Sequence, residues 1–172
     1  RFDVLVRATT AALLTSHGLR EDVEVILHLG GGPGPARRLR LNGATLRGLH
    51  ADERSAAGML GKALLKPQPP RGQWREVTPG LDESGGGLAD TLREWSESTI
   101  FVLDADAPSF DGMLAEQPDL VKGDLGFVLS DDKPLTDADL GGHMVDRCSL
   151  GDRWLQGHAA VHIVHWLLDR QA

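Results

Sequence analysis

Short β-branched runs alternate with segments of helical period along this 172-residue chain, and that alternation limits its fold more than any other feature. "DVLVRATTAALLTSHG" places apolar residues at helical spacing, with Gly18 where a helix stops. "VEVILHL" (23–29) alternates and reads as a strand; "GGGPGP" turns the chain, and "RRLRLNG" reads as a second strand closed by Asn42-Gly43. Asp52 caps an expected helix over 53–65. Residues 66–87, rich in proline and glycine, read as a long exposed connection. Beyond it come a helix in "GLADTLREWSES", strands in "TIFVLDAD", "LGFVLSDD" and "MVDRCSLG", and a short helix in "LTDADLGG". A last helix is expected from about residue 152 to 170. Helices alternating with strands predict one α/β domain over 1–172 with a largely parallel sheet.

Composition excludes several classes. No apolar run approaches the roughly 20 residues that span a bilayer, and no signal peptide is evident. A lone Cys148 rules out an intrachain disulfide and a multi-thiolate zinc site, which fits a cytoplasmic protein. The net charge of −7 gives no whole-molecule attraction for nucleic acid. The densest basic run is "ARRLRL", with Arg37, Arg38 and Arg40, followed by Arg47 and Arg54; it reads either as a solvated edge or as a local RNA-binding patch.

Three motifs carry potential chemistry. "HLGGGPGP" follows a strand but puts Pro35 where a dinucleotide-binding loop needs its third glycine, and a strand follows instead of a helix. It reads as a plain turn. His158, His162 and His165 share one stripe of the last helix with Leu155 and Asp169. Three imidazoles spread over about 10 Å of helix converge poorly on one ion, so a polar packing seam is preferred to a metal site. Finally, "VLDADAP", "FVLSDDKP" and "CSLGD" end strands in polar or glycine-bearing turns. Ligands of parallel α/β sheets bind outside such carboxyl ends.

"GLHADERSAAGMLGKAL", "RFDVLVRATTAALLTSHGLREDVEV", "GFVLSDDKPLT" and "SLGDRWLQGHAAVHIVHWLLDR" together resemble, in order and over nearly the whole chain, the archaeal tRNA pseudouridine-54 N1-methyltransferase family, TrmY. That resemblance implies a SPOUT-type α/β fold with a C-terminal trefoil knot over 124–170, and S-adenosylmethionine held by knot-loop backbone groups. Carried over by position, Leu129 ends the first knot strand and Gly142 lies in the middle loop. Ser149, Leu150, Gly151, Asp152, Arg153, Trp154 and Leu155 form the last loop and helix start. Ala160 stands at the family's usual cysteine, also on the cofactor side. "GHAAV" and "HWLLDR" depart from the commoner "SHCI" and "HNELDR".

The implied reaction is transfer of a methyl group to N1 of pseudouridine in tRNA. Asp52 and Glu53 are the candidates for gripping the uracil edge or taking the proton, with Arg54, Arg20 and Arg47 for phosphate or ribose. The plain alternatives are a helix cap for Asp52 and a surface charge for Arg54. A fold relative that methylates a free nucleoside or other small molecule is a second reading, and a non-catalytic RNA- or partner-binding relic a third. A homodimer is implied; a membrane and a metal are not expected.

Overall fold

The computed structural model describes residues 1–32, 34–130 and 133–172. Pro33 of the glycine turn, and Asp131 and Asp132 at the end of "LGFVLSDD", lie outside the described residues. The chain divides into two compact units, 1–91 and 92–172.

The first unit holds helix α1 (Phe2–Leu13), strands β1 (Glu24–Leu29) and β2 (Arg37–Asn42), helix α2 (Glu53–Lys62) with a 3-10 turn (Ala63–Leu65), and strands β3 (Arg75–Thr78) and β4 (Leu81–Gly85). The strands form an antiparallel sheet in the order β1-β2-β4-β3. A largely parallel sheet throughout is thus corrected for this unit. Short returns, through the glycine loop before β2 and through Pro79-Gly80 before β4, can only bring a strand back antiparallel. Gly80 sits at φ +79, and a Cβ there would lie 2.3 Å from the Leu46 Cα, so the turn requires glycine.

The expected exposed connection over 66–87 is corrected by the same hairpin. Leu81, Glu83, Ser84 and Gly85 are buried, because β4 pairs with β2 on one side and β3 on the other. The β2 arginines are corrected too: they form neither a solvated edge nor an open basic patch. Arg38 is fully buried, donating to the Gly85 carbonyl (3.3 Å) and the Thr91 hydroxyl (3.1 Å). Arg40 pairs with Asp82 at 2.8 Å, and the indole of Trp74 lies under both guanidinium groups, 4.7 and 4.2 Å from its centroid. On the other face of β2, Arg37 donates to Glu83 (3.1 Å) and to the carbonyls of Ala63 and Lys66, while Arg75 pairs with the other oxygen of Glu83. Leu39, Leu41 and Leu81, all at 0% exposure, fill the rest of the interior.

Helix α3 (Leu88–Glu94) crosses the boundary between the units. The second unit then holds β5 (Thr99–Leu103), α4 (Phe110–Glu116), a 3-10 turn (Pro118–Lys122), β6 (Leu125–Val128), β7 (Asp146–Cys148) and α5 (Gly157–Asp169). Its sheet is parallel, in the order β6-β5-β7. Phe101, Phe110 and Phe127 pack edge-on and stacked with centroids 5.1 to 5.8 Å apart. Ala160, Val164 and Leu167 recur at helical spacing as the buried stripe of α5.

Two further expectations change here. "LTDADLGG" makes only a turn: the Asp139 carboxylate accepts from the Thr136 amide (2.8 Å) and hydroxyl (2.7 Å), and Gly141 and Gly142, at φ +62 and +76, end it at once. The last helix begins at Gly157, five residues later than expected near 152, because 149–151 close on themselves. Ser149 Oγ accepts from the Gly151 amide at 2.9 Å and donates to its carbonyl at 3.1 Å. Helix α4 has no counterpart in the sequence reading, although Ser109 caps it by accepting from the Gly112 amide.

Two outcomes follow from these interiors. Glu83→Gln leaves Arg37 without its buried counter-charge, and urea denaturation should show a loss of about 3 kcal/mol or more. Burial, aided by the Asp146 charge, pushes the Cys148 thiol from 9.0 up to about 12. Between those values the unfolded chain releases the proton and the folded chain keeps it. Stability should therefore be fully present below pH 9 and fall above it, by up to about 1.4 kcal/mol per pH unit, a slope that Cys148→Ala abolishes.

Candidate active site

Because β5, β6 and β7 run parallel, their carboxyl ends meet at one edge of the second unit's sheet. Each chain segment leaving that edge contributes to a single cleft. Leu103, Asp104 and Ala105 come from the end of β5, and Leu129 and Ser130 from the end of β6. Leu150, Gly151, Arg153, Trp154 and Leu155 come from the segment after β7, and Gly157 and Ala160 from the start of α5.

Backbone pairing holds these walls. The Asp104 amide donates to the Cys148 carbonyl at 3.0 Å, fixing the β5 exit against the end of β7. Beyond it, Ser149 pairs with the segment before α4: its amide donates to Pro108 (2.8 Å) and its carbonyl accepts from the Phe110 amide (2.9 Å). Gly151 takes φ +125, a conformation that side chains disfavour. Asp104 is also positioned by its side chain, which accepts from Arg147 (3.1 Å) and from the Asp106 amide (3.0 Å). Arg147 in turn donates to the Leu135 carbonyl and lies 3.6 Å from Asp137.

The cleft therefore offers an apolar lining of leucine and alanine, backbone groups at strand ends, one carboxylate and one guanidinium. Its apolar lining and strand-end backbone groups fit an adenosyl ligand, and the Asp104 carboxylate suits the cationic part of such a ligand.

Of the residues singled out from sequence, Leu129, Leu150, Gly151, Arg153, Trp154, Leu155 and Ala160 line this cleft. Ser149 is buried behind it and braces the loop, while the exposed Asp152 and Gly142 do not line it. Asp104, Ala105, Ser130, Leu103 and Gly157 also line it, beyond the residues expected from sequence. The signal for most of them was present, since "VLDADAP" and "FVLSDDKP" end strands of this sheet.

The other candidates belong to the first unit. The Asp52 side chain caps α2, its Oδ1 accepting from the Ser55 amide at 2.7 Å. Glu53 pairs with Arg7 at 2.9 Å, both exposed. Arg54 and Arg47 are exposed, and Arg47 donates to the Leu46 carbonyl; Arg20 is half-buried beside the tight Gly43 turn. The histidines of α5 split by burial, His158 and His165 half-buried and His162 exposed. Among the described residues, no group of three or more His, Cys, Asp or Glu side chains is arranged to hold a metal, and no helix is long and apolar enough to cross a membrane.

Comparison with known proteins identifies the family and the fold. A family model described as "Putative SAM-dependent RNA methyltransferase" matches residues 1–172. The tRNA (pseudouridine(54)-N(1))-methyltransferase of Methanosarcina mazei is 34% identical over 173 residues, covering 99% of this chain and 79% of that protein. The enzyme of the same name from Haloferax volcanii is 34% identical, covering 98% of this chain and 83% of that protein. Among solved structures, Nep1 of Archaeoglobus fulgidus bound to S-adenosylhomocysteine superposes with a TM-score of 0.65 at 19% identity, over 98% of this chain and 70% of that one. The fold likeness bears out the SPOUT-type α/β architecture. With a family match along its whole length and a third of its residues shared with those enzymes, the chain belongs to the SAM-dependent RNA methyltransferase family that includes the tRNA (pseudouridine(54)-N(1))-methyltransferases.

Proposed function

We propose that this protein transfers a methyl group from S-adenosylmethionine to N1 of pseudouridine in tRNA. The observation that carries the reading is the single cleft at the carboxyl edge of the β6-β5-β7 sheet, in a chain whose every segment matches that family. A bound donor would supply a methyl carbon already activated on a sulfonium, to be passed to N1 with a neutral thioether as the leaving group. What the chain must add is binding, alignment and a destination for the N1 proton.

Leu103, Leu129 and Leu150 supply apolar surface for the donor's adenine, and the Gly151 backbone lets a ligand approach the loop closely. Asp104, held by Arg147, offers a fixed anion to a cationic group. A threaded C-terminal segment is part of the proposal. Its support is the insertion of β7 beside β5, opposite β6, with Ser149 stitched to the segment before α4. A second copy of the chain is the proposed partner, supported by the exposed Trp166 and Met144.

Asp52 and Glu53 are the proposed proton acceptors. Asp52 is favoured because its cap uses Oδ1 alone and the residue is exposed. Arg54, Arg47 and Arg20 are proposed to meet the RNA backbone, with Arg54 and Arg47 the exposed members. One observation favours methylation of a free nucleoside instead: Arg37, Arg38 and Arg40 are committed to internal partners and add nothing to an RNA-binding surface.

Incubation with isotope-labelled donor, followed by mass spectrometry of digested tRNA, should find label in N1-methylpseudouridine, and tRNA binding should weaken as salt rises. Label in free nucleoside but never in tRNA would establish the second reading; donor binding with no labelled acceptor would leave a non-catalytic relic. Asp52→Asn keeps a capping side chain, so stability should hold while turnover falls at least about tenfold with donor affinity unchanged. Undiminished turnover in that variant would reduce Asp52 to its structural role.

A further inference from the structure

The chain has four tryptophans, and three of them are engaged. Trp74 lies beneath Arg38 and Arg40. Trp95 packs on Gly126 so closely that a Cβ there would lie 2.9 Å from its ring. Trp166, although exposed, is covered on one face by Arg170 at 4.5 Å. Trp154 is different. It is 52% exposed at the rim of the cleft, and among the described residues its ring meets no aromatic or cationic partner.

Its sequence neighbour, Arg153, is exposed on the same rim. Arg37, Arg40, Arg71, Arg75, Arg147 and Arg170 all lie within ion-pair reach of a carboxylate. Arg153, like the exposed Arg47 and Arg54, has no such carboxylate among the described residues, and of these three it alone lines the cleft. A bare indole beside an uncompensated guanidinium is suited to a flat ring joined to an anion, which describes a nucleotide. The floor of the cleft is different in kind: Ala160 is buried, and Leu103 and Leu150 are half-buried.

We infer that Trp154 and Arg153 receive the acceptor rather than the donor: the indole stacks on an everted uracil-type ring, and the guanidinium binds the phosphate beside it. This rests on the proposed function and assigns the rim to RNA and the floor to the methyl donor. It reassigns two residues that the family resemblance put in the cofactor wall. Base eversion brings a ring nitrogen within reach of a donor held on the floor, and stacking repays part of the unstacking cost.

The test compares Trp154→Ala, Trp154→Phe and Arg153→Gln with the unaltered protein in three measurements. These are donor affinity by calorimetry, affinity for a pseudouridine-containing tRNA stem-loop, and steady-state methylation. Trp154→Ala should weaken stem-loop binding and raise the RNA KM about 10- to 100-fold, with donor affinity unchanged, and Trp154→Phe should recover most of the loss. Arg153→Gln should lower the slope of log affinity against log salt by about one. Donor affinity falling in step with RNA affinity would overturn the inference in favour of a cofactor wall. Dissociation of a dimer by Trp154→Ala in sedimentation would assign the ring to a subunit contact instead. Unchanged stem-loop affinity in Trp154→Ala would also sink it. Because stem-loop binding is measured without turnover, an inactive but RNA-binding protein would refute the methylation reading and still decide this one.

Discussion

Parallel pairing of β5 with strands on both sides is the constraint from which the second unit follows. Once Phe101 and Val102 are hydrogen-bonded between β6 and β7, all three strands must release their chains at the same edge. Nothing in the cleft needs a phosphate-binding loop or a metal to bring its walls together; the ladder does it. The three phenylalanines beneath the strands make that ladder costly to distort, since each ring contacts both others. A site whose walls are set by strand pairing suits a reaction in which the protein mainly aligns two partners.

The first unit is organised around charge taken out of solvent. Burying Arg38 completely, and Glu83 almost so, is tolerable only because each polar atom meets a carbonyl, hydroxyl, carboxylate or aromatic face. The same arrangement explains why a visibly basic strand contributes no basic surface. Guanidinium groups that look available in one dimension are sequestered by acids more than forty residues further along.

That separation also marks where the sequence stops being legible. Local signals read well: the β-branched run of β1, the Asp52 cap, the apolar spacing of α5, and the polar turns after "TIFVL", "LGFV" and "DRC". Strand β4 was obscured because its acids, Asp82 and Glu83, look like loop residues until Arg37, Arg40 and Arg75 are seen to face them. Parallel and antiparallel sheets were merged into one because alternation of helix and strand says nothing of which hairpins are short. Most of the cleft's lining is legible in the strand ends and the family resemblance together. Asp104 carries no local signal, because its place in the cleft wall is set by a contact with Arg147, 43 residues away.

The bridge between Ser109 and Ser149 joins the chain entering α4 to the chain approaching α5, across the back of the cleft. The segment leading into α5 is consequently tied to the wall before the helix begins. A ligand seated in that cleft would meet Gly157 and Ala160, so occupancy would slow amide exchange first in the opening turn of α5.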